Sequence, residues 1–292
     1  MVQVYYVVLS TIVAMVLVLI FLRRRWFVII TRAAPLKLII LVAGAWLAAI
    51  YAYSKLVPGQ PLVSLQKVRH DASFKDSLVL IHGWTGSAAV WAELLAIIAG
   101  DGDFEHYNLF TVEFETRDLT EGMTSLAAAA DAVRDAIAGA TGGQRLHIIS
   151  HSTGGVVARH TVVTADAKLR ARVRHLVTFG APFGGAEGAE LLQLLGINQQ
   201  LLKDLATGSS YLRELARGWS DMASAPGAPA ETCIFSTSDE YVGEASATTG
   251  CVHVRKLRGI SHQALVSPKH SQDQRYLALT KSLHGALDGS ER

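Results

Sequence analysis

A strand that runs into a helix through one tight turn constrains this chain more than any other feature. The β-rich run at residues 146–149 is followed by a helical pattern that begins at Gly155. Such a turn strains its central residue, so the side chains two places to either side of that residue must be small. Ser150 and Gly154 meet this requirement around Ser152. We therefore predict that Ser152 lies at the apex of a strand-turn-helix unit.

A serine held in this way is a candidate nucleophile, because the N-terminus of the following helix stabilises negative charge that develops beside it. The motif reads S-x-S-x-G, with Ser150 where glycine is usual. Ser150 is the competing nucleophile, but it lies on the strand side of the turn, which favours Ser152. An ordinary glycine-containing turn is the alternative. If the serine is reactive, the backbone N–H of Thr153 is one predicted donor to an oxyanion.

An earlier loop supplies the second predicted donor. The apolar run at residues 78–81 ends in His82-Gly83-Trp84, and glycine lets the backbone approach a substrate closely. The N–H of Trp84 is therefore the second candidate for the oxyanion hole. We expect His82 to orient this loop by hydrogen bonding, and not to act as a base or a metal ligand.

Short β-rich runs alternate with longer helical patterns over the rest of the chain. This rhythm is typical of a mostly parallel sheet with helices on both faces. Two leucine-rich helical patterns lie in a segment, residues 183–230, that we interpret as a cap. The predicted strands are residues 77–81, 107–114, 146–150, 175–180, 232–236 and 251–257, and the predicted helices are residues 88–99, 126–138, 155–164 and 272–283, with 190–205 and 209–217 in the cap.

The general base and its acid should follow the serine in the chain, each in a loop after a later strand. The order in this fold is serine, acid and then histidine, and four histidines follow the candidate acid, Asp239. His262 lies in a loop directly beyond the last strand, whereas His253 is inside that strand, and His270 and His284 are further along the chain. We therefore predict that His262 is the base.

Asp239 is the predicted acid, because it lies in the loop that follows the strand at residues 232–236. Its carboxylate would hold the tautomer of His262 that accepts the serine proton, and would stabilise the imidazolium as it forms. The neighbouring Glu240 is the alternative acid, since the sequence does not define the loop conformation to one residue.

Three motifs resemble those of a known enzyme family. They are H-G-W-T-G at residues 82–86, H-S-T-G-G at 151–155 and T-F-G-A-P-F-G-G at 178–185. They resemble bacterial triacylglycerol lipases and GPI inositol-deacylase-like serine esterases of the α/β-hydrolase superfamily, over about residues 77–284. The resemblance implies an α/β-hydrolase fold with a helical cap. It also implies a triad and an oxyanion hole, made of Ser152, Asp239 and His262 and of Trp84 and Thr153 respectively.

Two apolar runs near the N-terminus, which the family does not share, are long enough to cross a membrane. Residues 4–22 and 38–54 carry no charge over 19 and 17 residues, and about 20 helical residues span a hydrocarbon core. We predict a two-helix anchor at residues 1–56, a linker at 57–75 and a catalytic domain at 76–292. A cleaved signal peptide or a buried core helix is the alternative for one of the runs.

The charges near the anchor predict its orientation. Five basic residues and no acid lie between the two runs, which by the positive-inside rule puts that loop in the cytoplasm and the catalytic domain outside it. Basic residues after the second run leave the reverse orientation open. Of the 27 basic and 25 acidic residues, nine and one precede residue 76, so 18 and 24 remain in the domain. This mildly acidic balance argues against a nucleic-acid partner.

The chain has two cysteines, Cys233 and Cys251, whose spacing fits no zinc site, and we expect neither a metal nor a cofactor. Outside the cytoplasm one bridge between them would stabilise the intervening loop, and two buried free thiols are the alternative.

Together, the residues and the resemblance predict a membrane-anchored serine hydrolase of carboxylic esters. The anchor and the apolar cap favour lipidic acyl esters as substrates, although leucines in such a cap are also typical of simple core. An acyltransferase with the same three residues and a noncatalytic, membrane-tethered binding module are the alternatives.

Overall fold

The computed structural model describes residues 63–84, 86–114, 125–186 and 200–284. These residues all belong to one compact unit, Pro61–Arg292. The predicted membrane anchor, residues 1–56, lies outside the described residues. None of the helices within the described ranges has the length and apolar character needed to cross a membrane.

A sheet of seven strands forms the centre of the described residues. From edge to edge the strand order is β1-β3-β2-β4-β5-β6-β7. Only β1 is antiparallel to its neighbour, β3, and all other pairs are parallel. The predicted mostly parallel sheet is therefore confirmed. The strands are β1 (Val63–Arg69), β2 (Asp76–Ile81), β3 (Tyr107–Phe114), β4 (Arg145–His151), β5 (Val173–Phe179), β6 (Ala230–Ser236) and β7 (His253–Leu257).

The edge strand β1 corrects the sequence analysis, which assigned residues 57–75 to a linker. Val63 and Leu65 pack against the core, whereas Gln66 and Lys67 are exposed. A charged edge strand of this kind buries only one face, so its apolar pattern is short and weak. The helix-breaking residues at 58–61, directly before the strand, are the reason that a linker was predicted here.

Helices cover both faces of the sheet. Alternate residues of β2 show the division, because Val79 and Ile81 face one core and Leu78 and Leu80 face the other. The helices are α1 (Ala92–Ala99), α2 (Leu126–Ala140), α3 (Thr153–Thr164), α4 (Ala167–Arg170), α5 (Gln200–Asp204), α6 (Ser210–Ala223), α7 (Glu244–Ala247) and α8 (Gln274–His284). Helices α2, α3 and α6 line the larger core, and α1 and α8 line the smaller one.

The described part of the predicted cap packs into the body of the protein. Leu212, Leu215 and Trp219 recur on one face of α6 and are buried in the same core as α3. A carboxylate oxygen of Asp204 accepts a hydrogen bond from the backbone N–H of Leu126, 3.0 Å away, at the start of α2. The leucines of this part therefore form core, which was the alternative to a substrate-facing cap.

Candidate active site

The parallel strands all point the same way, so their carboxyl ends lie together at one end of the sheet. The loops that follow β2, β4, β6 and β7 carry, in that order, Trp84, Ser152, Asp239 and His262 to this end. Open parallel sheets bind ligands beyond the carboxyl ends of their strands.

The turn after β4 has the predicted strained geometry at Ser152. Its φ of 54° and ψ of −132° make it the only non-glycine residue with positive φ among the described residues. The N–H of Ser152 donates to the carbonyl of Phe179 at 2.8 Å, and the Ser152 carbonyl accepts from the N–H of Gly155 at 2.8 Å. These two bonds hold the turn between β5 and the first turn of α3.

Three predicted side chains meet beyond this turn. The Nε2 atom of His262 lies 2.8 Å from the Oγ of Ser152, and its Nδ1 atom lies 2.8 Å from the Oδ2 of Asp239. Because an ionised carboxylate only accepts hydrogen bonds, Nδ1 carries the proton and Nε2 accepts from the serine hydroxyl. The arrangement suits transfer of the Ser152 proton to His262.

The Asp239 carboxylate is held in its ionised form. Burial raises its pKa, but hydrogen bonds from the His262 ring and from the backbone N–H groups of Tyr241 and Val242 outweigh burial and lower the pKa below its usual value. The two backbone bonds reach Oδ1 at 3.0 and 2.8 Å, which leaves Oδ2 for His262. The negative charge therefore persists through the neutral range.

The alternative residues have other roles in the structure. The Oε2 of Glu240 accepts from the backbone N–H of His262 at 3.0 Å and not from its ring. The hydroxyl of Ser150 is fully buried and lies 3.5 Å from the Val177 carbonyl. His253 lies within β7, and the ring of His284, at the end of α8, packs against Phe104.

The loop after β2 touches the nucleophile turn. A Cβ atom at Gly83 would lie 2.8 Å from the Cβ of Ser152, so only glycine permits this approach. Trp84 follows it, half-buried against the larger core. On the other side, Thr153 is the first residue of α3, where backbone N–H groups have no partner within the helix.

His82 orients this loop, as predicted. Its buried ring stacks on Phe114 with centroids 4.3 Å apart. The Nδ1 atom lies 2.8 Å from the Gly83 carbonyl, and Nε2 accepts from the N–H of Phe114 at 3.3 Å. Burial lowers the pKa of His82, which favours the neutral ring that these two bonds require.

His151 has a role in the site that was not predicted from the sequence. Its buried Nε2 lies 2.9 Å from the backbone carbonyl of His262, and the two rings lie 4.8 Å apart. Its position next to Ser152 is the only signal for this role in the sequence.

A disulfide joins Cys233 in β6 to Cys251 before β7, so the cysteines are not two free thiols. The 18-residue separation encloses the loop that carries Asp239. Within the described residues, Glu231 and these two cysteines are the only cluster with metal-ligand spacing, and the bridge removes both thiolates.

A model of the alpha/beta hydrolase family matches residues 78–281 of the chain. No curated protein matches it. Among solved structures, the chain resembles the phospholipase PlaB from Legionella pneumophila with a TM-score of 0.57 and 16% identity, over 72% of this chain and 59% of that one. The chain thus spans less than two thirds of that phospholipase.

Two further solved structures are matched over nearly their whole length. The lipase BlEst2 from Bacillus licheniformis has a TM-score of 0.52 and 15% identity, over 77% of this chain and 99% of the lipase. A carboxylesterase structure from Nitrososphaera gargenis has a TM-score of 0.55 and 15% identity, over 78% of this chain and 97% of that one. At such low identity these likenesses show a shared fold.

Proposed function

The chain belongs to the alpha/beta hydrolase family, and from that premise we propose that it is a serine hydrolase that cleaves carboxylic esters through an acyl-enzyme on Ser152. The observation that carries the proposal is the continuous line of two 2.8 Å contacts from the Ser152 hydroxyl through His262 to Asp239. The esterases and lipases that share the fold add support.

Acylation begins when the Oγ of Ser152 attacks the ester carbonyl carbon and His262 takes the hydroxyl proton at Nε2. The carbonyl oxygen becomes an oxyanion, and the N–H groups of Thr153 and Trp84 are proposed to bind it. The tetrahedral intermediate then breaks its bond to the alkoxy oxygen, and that alcohol leaves with the proton from His262.

Deacylation repeats these steps with water. His262 takes a proton from the water as its oxygen attacks the acyl carbon, and it returns the proton to Ser152 when the acid leaves. Asp239 stabilises the imidazolium in both halves of the cycle and keeps Nε2 directed at Ser152.

We also propose that residues 1–56 anchor the enzyme in a membrane with its catalytic domain on the non-cytoplasmic side, and that the substrate is a lipidic acyl ester. The basic loop between the apolar runs supports this orientation, and so does the disulfide, because disulfides persist in oxidising compartments. A reporter fused after Arg292 that functions only outside the cytoplasm should be active. A signal only from a cytoplasmic reporter would reverse the orientation.

The catalytic proposal is tested with a fluorophosphonate probe and a series of p-nitrophenyl esters of increasing acyl length. The wild-type protein should be labelled and should hydrolyse the esters. Ser152→Ala should lose labelling and nearly all turnover, since loss of the nucleophile in a serine triad costs on the order of 10⁶ in kcat. Ser150→Ala is the matched control and should retain both. Equal behaviour of the two variants would refute the assignment of Ser152.

A further inference from the structure

The peptide backbone of His262 is held on both sides. Its N–H donates to the Oε2 of Glu240 at 3.0 Å. Its carbonyl lies 2.9 Å from the Nε2 of His151, which donates to it. Neither contact uses the imidazole ring of His262, so both are independent of its bonds to Ser152 and Asp239.

The two partners come from different strands. His151 is the last residue of β4 and directly precedes Ser152, whereas Glu240 lies in the loop after β6, directly after Asp239. Each predicted catalytic neighbour of the His262 ring therefore has an adjacent residue that binds the His262 backbone. The backbone of His262 is thus fixed relative to Ser152 and relative to Asp239, the two groups with which its ring must align.

The chemical state of His151 suits this contact. Burial, and next the charge on His262, lower the pKa of His151 to about 3. The ring is therefore neutral at working pH and donates its Nε2 proton without placing a second positive charge beside the imidazolium that forms on His262. A cation at this position would oppose proton transfer from Ser152.

We propose that His151 and Glu240 are positioning residues that hold His262 through its backbone while its ring exchanges protons with Ser152. The proposal rests on the serine-hydrolase function above. The bonds of the ring change at each proton transfer, but the backbone contacts do not. A displacement of the base by about 1 Å can lower a rate by 10²-fold, so two contacts outside the reacting groups protect the alignment.

Glu240 gives the cleaner test, because its side chain is exposed and its removal leaves the core intact. Glu240→Ala removes the acceptor and should lower kcat for p-nitrophenyl butyrate about tenfold, with KM nearly unchanged. Glu240→Gln keeps a carbonyl oxygen that accepts the same N–H and should retain most of the turnover. Ser238→Ala, an exposed change in the same loop, is the matched control.

His151 provides the second pair of variants. His151→Phe keeps a ring but removes the donor, whereas His151→Gln places an amide N–H near the former Nε2 atom. The first should lower kcat and the second should restore most of it. We expect the double variant His151→Phe, Glu240→Ala to show a smaller fold-loss of kcat than the product of the two single fold-losses. Both changes release the same peptide backbone, so their effects overlap.

Two results would overturn the proposal. One is wild-type kcat in Glu240→Ala, and the other is an equal loss in Glu240→Ala and Glu240→Gln, which would make the charge and not the hydrogen bond responsible. Failure of the proposed function looks different. In that case the wild-type protein would hydrolyse no ester, and fluorophosphonate would label wild type and Ser152→Ala alike.

Discussion

Gly180, the residue that follows β5, leaves the space in which His262 and Asp239 meet. Its φ of 56° lies in the left-handed region. A Cβ atom there would lie 2.9 Å from the Oδ2 of Asp239 and 3.3 Å from the Nδ1 of His262. Both distances are shorter than an ordinary van der Waals contact, so a side chain at position 180 would displace Asp239 or His262.

We expect Gly180→Ala to lower kcat at least about tenfold, because the new methyl group displaces the acid or the base. Gly142→Ala is the matched control, since Gly142 has a φ of 53° and no atom within 4 Å of the added Cβ. Both variants should lose about 1 kcal/mol of stability to backbone strain, and Gly180→Ala should lose more, because its Cβ would also lie 2.7 Å from the Cδ1 of the buried Leu265. Steady-state kinetics and thermal unfolding of the two proteins separate the effects. Normal turnover in Gly180→Ala would contradict the described packing.

At the scale of elements, the disulfide ties the acid loop to the sheet. Closing a loop of 18 residues restricts the unfolded chain and should stabilise the fold by about 3 kcal/mol in the chain-entropy model. Reduction with dithiothreitol should therefore lower the free energy of unfolding, measured in urea, by about that amount. The Cys233→Ala, Cys251→Ala double variant should be insensitive to reductant. An unchanged wild-type curve after verified reduction would remove this role for the bridge.

Elements with a strong local pattern could be predicted from the sequence. The strand β3 has the predicted bounds. The tight turn selected Ser152 and the chain-order rule selected Asp239 and His262, and the structure brings these three side chains together. The exposed edge strand β1 was missed because four of its seven residues are polar. Contacts between distant parts of the chain leave no such pattern.

Three contacts illustrate that limit. The bidentate pair of Arg159 and Glu231 joins α3 to β6 across 72 residues and is almost fully buried. The bond from His151 to the His262 carbonyl crosses 111 residues. The disulfide remained undecided because a bridge depends on the separation of two Cα atoms, here 6.2 Å, which spacing in the sequence does not give.

At the scale of the whole molecule, a histidine pair lies near the amino ends of the strands, on the opposite side of the sheet from the candidate active site. The Nδ1 atoms of His147 in β4 and His175 in β5 are 2.9 Å apart. The Nε2 of His147 lies 3.1 Å from the Oδ1 of Asp76, so His147 donates there and accepts from His175. Burial lowers the pKa of His147, and burial and then the charges on His147, His284 and Arg174 lower the pKa of His175 to about 4.

This pair should make the fold less stable in acid. The unfolded chain binds a proton at a histidine near pH 6.5, whereas folded His175 does so near pH 4, so stability present above pH 6.5 is lost as pH falls toward 4. His175→Asn keeps a donor toward His147 and does not titrate. Between pH 7.5 and 4.5 it should lose about 1–2 kcal/mol less than wild type, since partial exposure reduces the effect.

Thermal unfolding across this pH range measures the difference. His270→Asn replaces an exposed histidine and is the control. Parallel pH profiles for wild type and His175→Asn would contradict the prediction. His151 and His147 also have lowered pKa values, so some loss in acid should remain in every variant.

The conformation of Ser152 has a consequence for the evolution of this fold. A non-glycine residue in such a region of φ and ψ destabilises the native state by about 1–3 kcal/mol, and glycine at the same place removes most of that strain. Ser152→Gly should therefore unfold at a higher temperature than Ser152→Ala, although neither hydrolyses esters. A library randomised at position 152 and selected for heat resistance alone should accumulate glycine. The residue at position 152 that gives the highest thermal stability therefore differs from the one that gives activity, and only selection for turnover keeps the serine.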